Sequence, residues 1–209
     1  MTYLESTKEF YKKLKTEGMS KLITKKRNKA YLQFLKKHLN KNQKILDLAC
    51  GYGRLTIPLA KAGYDIEGID LAPNLIKDAK VQTKNKNLKI SFKVGNMLNL
   101  PYKNDSFDTI ICMWSSFIHL LKLKDQVKGL DEMFRILRKN GFAIIDMPSY
   151  KVVKKKHIVK ENIGGFENVC FIHNKKSITE VIKKSKVKNS KIKIESINGR
   201  KRLILYIYK

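Results

Sequence analysis

Two acidic residues and two glycines have the types and spacing of a nucleotide-binding site. Asp47 lies in a short apolar run, residues 45–48, which is typical of a buried parallel strand. Gly51 and Gly53 follow it, and glycine lets the backbone turn sharply and lets a ligand approach closely. Asp70 ends the next apolar segment, about 20 positions after Gly51, where an acidic side chain binds ribose hydroxyls. We therefore expect a nucleoside cofactor at the carboxyl end of the first strand.

The loop departs from the dinucleotide pattern G-x-G-x-x-G, because Thr56 occupies the position of the third glycine. The carboxylate of Asp47 would repel a pyrophosphate and attract a cationic group. S-adenosylmethionine carries a sulfonium and an ammonium and no phosphate, so the loop favours this cofactor. Two alternatives stay open: Asp47 as a strand-end carboxylate that accepts bonds from loop amides, and a nicotinamide-dependent oxidoreductase.

The glycine loop is the first of five segments that follow one another over about 100 residues, the size of one domain. The series consists of Leu46–Gly53, Gly68–Asp70, Gly95–Tyr102, Asn104–Trp114 and Glu132–Asp146. In this order it resembles the core of the class I S-adenosylmethionine-dependent methyltransferases. The resemblance implies a Rossmann-like α/β fold with three layers, α/β/α. Its doubly wound seven-stranded sheet would be mostly parallel, with an antiparallel C-terminal strand.

The resemblance also assigns cofactor contacts. Asp70 would accept both ribose hydroxyls, and Leu71 would pack on the adenine ring. Asn96 stands where the family usually has Asp, and its oxygen would accept a hydrogen bond from the adenine amino group. Met97 would offer its amide to the ring and Met113 its carbonyl to the methionine ammonium, although both are also typical core residues. The expected cofactor-binding set is Asp47, Ala49, Gly51, Gly53, Asp70, Leu71, Asn96, Met97 and Met113, with Ala49 where many members have glycine.

Methyl transfer requires mainly orientation and a dry pocket, because the sulfonium methyl is already electrophilic. Trp114 and Phe117 follow the fourth strand and would form walls of the substrate pocket, in cation–π contact with the sulfonium. His119 and Tyr150 are candidates for a general base, and Asp146 also lies near the expected methyl position. His119 equally fits a helix-capping or core histidine, so no catalytic residue is assigned.

The chain of 209 residues is long enough for one domain. We divide it into an N-terminal helical cap, a cofactor-binding core, a substrate lid, and a C-terminal helix with a β-hairpin, at residues 1–40, 41–148, 149–176 and 177–209. The alternative for the third segment is a surface excursion without a role.

Local patterns predict the elements of these segments. Apolar spacing predicts helices over residues 7–17, 28–39 and 125–139, the last ended by Asn140-Gly141. A strand is expected over residues 88–94. Ser177 and Glu180 form a capping-box pattern for a helix that runs to about Lys186. Asn198-Gly199 predicts a tight hairpin near the C-terminus.

The net charge of +27 raises the question of a polyanionic partner. Of the 45 basic residues, the arginines are Arg27, Arg54, Arg135, Arg138, Arg200 and Arg202. Because the excess is lysine, and arginine is preferred for phosphate and base contacts, we interpret the charge mainly as solvated surface. We expect methyl transfer to an N, O or C atom of a small molecule. RNA or protein as the acceptor, bound through the basic surface, and a catalytically silent cofactor-binding protein are the alternatives.

Apolar runs and cysteine spacing bear on the cellular compartment of the protein and on whether it holds a structural metal ion. No apolar run approaches the ~20 residues of a membrane span, and the start of the chain lacks an apolar signal core, so we expect a cytoplasmic protein without membrane contact. Cys50, Cys112 and Cys170 are scattered and form no C-x-x-C pair. They predict buried free thiols and no structural metal.

Overall fold

The computed structural model describes residues 2–85, 88–149 and 157–209. The helices of these ranges are α1 (Tyr3–Leu22), α2 (Lys25–Lys36), α3 (Thr56–Lys61), α4 (Pro73–Lys84), α5 (Leu123–Ile136) and α6 (Lys175–Lys184), with a short 3₁₀ helix at Ser116–His119. The strands are β1 (Lys44–Leu48), β2 (Asp65–Asp70), β3 (Phe92–Val94), β4 (Phe107–Cys112), β5 (Leu137–Pro148), β6 (Ile158–Ile163), β7 (Phe166–Phe171), β8 (Asn189–Ile197) and β9 (Arg200–Tyr208).

The described strands form a seven-stranded sheet in the order β3-β2-β1-β4-β5-β9-β8, and β6 and β7 form a separate hairpin. Strand β1 pairs in parallel with β2 and β4, and β4 pairs in parallel with β5. Strand β9 runs antiparallel to both β5 and β8, as predicted for the C-terminal hairpin. The strand order reverses between β1 and β4, so a crevice opens at their carboxyl ends, where α/β sheets bind ligands.

Helices cover both faces of the sheet, which confirms the three-layer prediction. Successive side chains of a strand point to opposite faces. Ile45 accordingly packs in one hydrophobic cluster with Leu35 of α2 and Leu59 of α3. Its neighbour Leu46 packs in another cluster with Met133 of α5. Both strand residues are fully buried, which explains the continuous apolar run in the sequence.

Helix α1 and the β6–β7 hairpin pack together over the carboxyl edge of the sheet. Phe10 and Leu14 of α1 join a cluster that includes Leu75 of α4 and, from the hairpin, Ile163 and Phe166. Helix α1 is interrupted at Lys15, whose φ of 53° is non-helical. The segments predicted as cap and lid therefore contact each other through apolar side chains.

Two predicted boundaries in the core were wrong. Strand β3 covers only residues 92–94, because Leu88 bonds back to the carbonyl of Thr83 at the end of α4 rather than pairing with β2. Helix α5 ends at Ile136, before Asn140-Gly141, because Leu137 is already buried and pairs with Phe107 of β4.

The start of α6 also differs from its prediction. Asn174, rather than Ser177, is the N-cap residue, and its side chain accepts the amide of Ser177 at 2.9 Å. The hydroxyl of Ser177 in turn accepts the amide of Asn174 at 3.0 Å. The capping box therefore lies three residues earlier than the sequence pattern indicated, and α6 ends at Lys184.

The carboxylate of Asp146 in β5 joins several of these elements. It accepts two hydrogen bonds from Arg202 of β9, at 2.7 and 3.0 Å, one from the hydroxyl of Tyr31 in α2, at 3.0 Å, and one from the amide of Trp114, at 2.9 Å. Trp114 and Ser115 have left-handed φ values of 58° and 69°. Residues other than glycine rarely adopt such φ values unless their surroundings hold them there. The hydrogen bond from the amide of Trp114 to Asp146 therefore fixes the turn after β4.

We expect Asp146→Ala to lower the free energy of unfolding by about 3–5 kcal/mol, because it leaves the mostly buried guanidinium of Arg202 without its carboxylate. Urea unfolding followed by circular dichroism measures the loss. The control is Glu167→Ala, which breaks the exposed pair between Glu167 and Lys160 and should cost at most about 1 kcal/mol. Equal losses in the two variants would contradict the role given to Asp146.

Candidate functional site

A cavity at the carboxyl ends of β1, β2 and β4, here called the first cavity, brings most of the predicted cofactor residues together. Those that line it are Asp47, Ala49, Gly51, Asp70, Leu71, Asn96, Met97 and Met113. Trp114 and His119 also line it, with Leu4, Tyr11 and Met19 of α1. Gly53 lies behind the wall, where an added Cβ would meet Ile57 and Phe92 at 3.0 Å. The other residues predicted to bind the cofactor therefore line one cavity, and Gly53 is not among its lining residues.

The glycine loop after β1 uses left-handed backbone at three positions. Gly51 and Gly53 have φ values of 56° and 78°, and Ala49 has a φ of 61°. An L-residue pays for such a conformation and glycine does not. This explains why glycine suits the position of Ala49 in the resembled family.

Asp70 holds the loop and faces the cavity with the same carboxylate. One oxygen accepts the amide of Gly51 and the other accepts the amide of Ala72, each at 2.8 Å. Burial raises the pKa of Asp70 above its ordinary value, and the backbone donors oppose this shift. A carboxylate oxygen can accept more than one hydrogen bond, so both oxygens of Asp70 remain able to accept hydrogen bonds from hydroxyl groups.

Asp47 is a buried carboxylate whose partner is a side chain. The hydroxyl of Thr56 donates to it at 2.6 Å. Burial raises the pKa of Asp47 to about 7, while Thr56 and the charge of Arg54 act in the opposite direction. Thr56, which replaces the third glycine of a dinucleotide loop, thus orients the acid that favours a cationic ligand.

Arg54 lines the first cavity and was not anticipated. Its guanidinium donates to the side-chain oxygen of Asn28 at 2.6 Å and lies over the rings of Tyr31 and Trp114, 5.4 and 5.5 Å from their centroids. The position of Arg54 in the sequence could have indicated this role, because it is a charged residue directly after the glycine loop and before an apolar helix.

Two predicted contacts involve groups that already have one partner inside the protein. The side-chain oxygen of Asn96 accepts the amide of Leu98 at 2.9 Å. The carbonyl of Met113 accepts the hydroxyl of Ser116 at 3.1 Å. Each oxygen has a second lone pair, so the contacts with an adenine amino group and an ammonium stay predictions.

A second cavity, of about 410 Å³, adjoins the first. The two share Tyr11, Trp114 and His119 as lining residues. The second cavity is also lined by residues of α1, α2, the β6–β7 hairpin and the start of β9. Such a neighbouring space fits a second reactant.

Tyr11 and His119 form a hydrogen-bonded pair at the boundary of the two cavities. The hydroxyl of Tyr11 lies 2.8 Å from Nε2 of His119. Burial lowers the pKa of His119 to about 4 and raises the pKa of Tyr11 above its ordinary range. Both side chains are therefore neutral at neutral pH. The sequence predicted a helix over residues 7–17, which includes Tyr11, but no local pattern indicated its distant partner His119.

Several predicted site residues lie elsewhere. Phe117 is fully buried, joins the hydrophobic core and lies 5.8 Å from the ring of His173, centroid to centroid. The prediction that Phe117 forms a pocket wall is wrong, because the 3₁₀ turn directs its ring into the core. Asp146 is likewise buried and lines neither cavity. Tyr150 lies outside the described residues.

The remaining predictions concern the cysteines, a metal ion and membrane-spanning helices. Cys50, Cys112 and Cys170 are buried and free, as predicted. Across residues 2–85, 88–149 and 157–209, no group of three His, Cys, Asp or Glu side chains is placed to hold a metal ion. No helix in the described part of the chain is both long and apolar enough to cross a membrane.

Comparison with known proteins gives a family match for the central part of the chain. Residues 45–141 match the family model described as "Methyltransferase domain". The glycine/sarcosine N-methyltransferase of Parasynechococcus marenigrum (strain WH8102) is 33% identical over 122 residues, which are 57% of this chain and 42% of that protein. The chain spans 34% to 68% of the length of the first curated relatives it matches.

Solved structures extend the likeness to nearly the whole chain. The PH0226 protein of Pyrococcus horikoshii OT3 aligns with a TM-score of 0.75 at 20% identity, over 97% of this chain and 99% of that one. The magnesium protoporphyrin IX methyltransferase of Synechocystis PCC 6803, with bound SAM, aligns with a TM-score of 0.69 at 14% identity, over 100% and 98%. At these identities the likeness shows the fold.

The half-buried His119 makes the free energy of unfolding depend on pH. Between pH 6.5, its ordinary pKa, and about 4, the unfolded chain binds a proton at His119 that the folded chain does not. The free energy of unfolding should therefore fall on acidification through this window, by up to about 1.4 kcal/mol per pH unit for this group. We expect His119→Gln to reduce the slope by that share, measured by urea unfolding from pH 7 to 4.5. An unchanged slope would show that His119 is not buried in its neutral form.

Proposed function

We propose that the chain is a class I S-adenosylmethionine-dependent methyltransferase, which transfers a methyl group from S-adenosylmethionine to a nitrogen, oxygen or carbon atom of a small molecule. The observation that carries this proposal is the pair of adjoining cavities. The first has the acidic groups expected for the cofactor, and the second opens from it at Tyr11, Trp114 and His119.

The first cavity fits the cofactor in its charges and hydrogen-bonding groups. We assign Asp70 to the ribose hydroxyls, since charge-assisted hydrogen bonds from a carboxylate are strong. Asp47 and the carbonyl of Met113 would bind the ammonium, and Arg54 would bind the carboxylate of the methionine part. Asn96 and the amide of Met97 would contact the adenine.

The bound cofactor would supply an electrophilic methyl group on a sulfonium, and the protein's task is to orient the acceptor and exclude water. Trp114 lines both cavities, and its ring would contact a cationic sulfur. Tyr11 and His119 are neutral and hydrogen-bonded at the same boundary. We assign this pair to orienting the acceptor, because a base with a pKa of about 4 removes protons poorly at neutral pH.

The placement of the arginines favours a small acceptor over RNA. Arg27, Arg54, Arg200 and Arg202 line the cavities. Arg135 and Arg138 are paired with Glu132 and Asp108. Arg200 is exposed as well, but an extended polyanion bound on the outer surface would otherwise meet mainly lysine, which supplies charge without bidentate recognition. The names of the glycine/sarcosine and magnesium protoporphyrin IX relatives likewise refer to small molecules.

The test of this proposal is transfer of a radiolabelled methyl group from S-adenosylmethionine to pools of small metabolites, RNA and protein. We expect label in a small-molecule pool. Label at one position of a structured RNA, retained at physiological salt, would support the RNA alternative instead. Cofactor binding without label in any pool would support a catalytically silent protein.

Cofactor choice gives a sharper prediction. S-adenosylhomocysteine should bind with micromolar affinity or better and NAD should not, as measured by calorimetry. Asp70→Ala should weaken the binding by about 1.5–3 kcal/mol or more, because it removes the bonds to the ribose and releases the amide of Gly51. Asp65→Ala, at the exposed start of the same strand, is the control and should bind as the parent does. Parent-like binding by Asp70→Ala would overturn the assignment.

The raised pKa of Asp47 predicts pH-dependent cofactor binding. Below pH 7 the buried carboxyl is mostly neutral, and above it the group carries the charge that attracts an ammonium. Affinity for S-adenosylhomocysteine should therefore rise between pH 5.5 and 7.5, by up to about 25-fold, which is the increase in the ionised fraction of a group with a pKa of about 7. In Asp47→Asn, which keeps an acceptor for Thr56, affinity should be lower at pH 7.5 and nearly independent of pH. The same pH profile in both proteins would assign the dependence to another group.

A further inference from the structure

Three of the arginines line the second cavity, although they are far apart in the sequence. Arg27 comes from α2, and Arg200 and Arg202 come from the start of β9. Residues two apart in a strand project from the same face, so β9 directs both of its arginines to the cavity. Arginine is the side chain best suited to bind a carboxylate or phosphate through two parallel hydrogen bonds.

The three guanidinium groups differ in their partners. Arg202 is bonded to Asp146 and to the hydroxyl of Ser115. Arg27 donates to the carbonyl of Leu22 at 3.1 Å, and its buried Nε has no hydrogen-bond partner. Within the ranges that the structure describes, neither Arg27 nor Arg200 has an acidic oxygen within 4.0 Å. Arg202 therefore has a structural role, whereas the other two lack a carboxylate.

The cavity has an excess of positive charge. Asp146 offsets Arg202, and Glu161 of β6, which also lines the cavity, can offset one more guanidinium. One positive charge is left over. The pKa of Arg27 is lowered by burial and by the charges of Arg200 and Arg202. An anion bound between Arg27 and Arg200 would remove this repulsion.

We propose that the methyl acceptor carries a carboxylate or phosphate group, which Arg27 and Arg200 bind in the second cavity. The nucleophilic atom of the same molecule would then face the boundary residues Tyr11, Trp114 and His119, beyond which the cofactor binds. The identity of the ligand as the acceptor rests on the proposed function, whereas the anion site itself rests on the arginines. Charged recognition at one end would supply the orientation that methyl transfer requires.

Anion binding tests the site without any methyl transfer. Inorganic phosphate or acetate is titrated into protein saturated with S-adenosylhomocysteine, at constant ionic strength. The signal is the fluorescence of Trp114, the chain's single tryptophan, which lines the second cavity. Arg27→Gln and Arg200→Gln should each weaken binding of the favoured anion by about tenfold or more. Stronger binding of phosphate assigns a phosphate group to the acceptor, and stronger binding of acetate assigns a carboxylate.

Two matched variants control this measurement. Arg138→Gln removes an arginine that is paired with Asp108 outside both cavities and should bind the anion as the parent does. Glu161→Gln removes the opposing carboxylate and should bind the anion as tightly or more tightly. The proposal is overturned if Arg27→Gln and Arg200→Gln keep the parent affinity, or if Arg138→Gln loses as much as they do.

Methyl transfer then tests the acceptor. Radiolabelled transfer is compared for carboxylic acids and phosphate monoesters and for their neutral amides and esters. We expect an acid to be methylated, with a KM that rises about tenfold or more in Arg27→Gln and a smaller change in kcat. A neutral acceptor with the same KM in parent and variant would support methyltransferase activity and overturn the inference. Anion binding through Arg27 and Arg200 without any transfer would support the site and contradict the proposed function.

Discussion

The buried carboxylate of Asp146 is the constraint on which the arrangement of the site depends. A charge inside a protein is tolerated only with matched partners, and here these are Arg202 of β9, Tyr31 of α2 and the amide of Trp114. The C-terminal hairpin, the N-terminal cap and the end of β4 therefore occupy fixed positions relative to β5. The left-handed turn at Trp114, which is costly alone, is stabilised by the same bonds.

This turn determines how the two cavities relate to each other. Trp114 lines both, so a cofactor in one and an acceptor in the other would meet at its ring. Their charges differ as well. Asp47 and Asp70 line the first cavity together with the bases Lys8 and Arg54, whereas the arginines Arg27, Arg200 and Arg202 line the second together with Glu161. The acids of the first cavity would favour the cationic end of the proposed cofactor, and Arg27 and Arg200 would favour an anionic end of the proposed acceptor in the second.

The sequence predicted what local patterns encode. The glycine loop, Asp70 and the C-terminal hairpin follow from short segments whose residues are close in the chain, and the resemblance to a known family implied the seven-stranded sheet. Tyr11, Arg27 and Arg200 could not be assigned, because they reach the site from separate elements that meet only through tertiary packing. Phe117 was placed in the pocket because proximity to β4 in the sequence does not reveal the direction of a side chain after a left-handed turn.

The position of the cofactor's sulfur is the decisive measurement, because methyl transfer is proposed to occur at the boundary of the two cavities. A crystal structure with S-adenosylhomocysteine measures it. We expect the ribose hydroxyls within hydrogen-bonding distance of Asp70 and the sulfur facing the second cavity beside Tyr11, Trp114 and His119. A nucleoside bound elsewhere, or a sulfur directed away from the second cavity, would contradict the account.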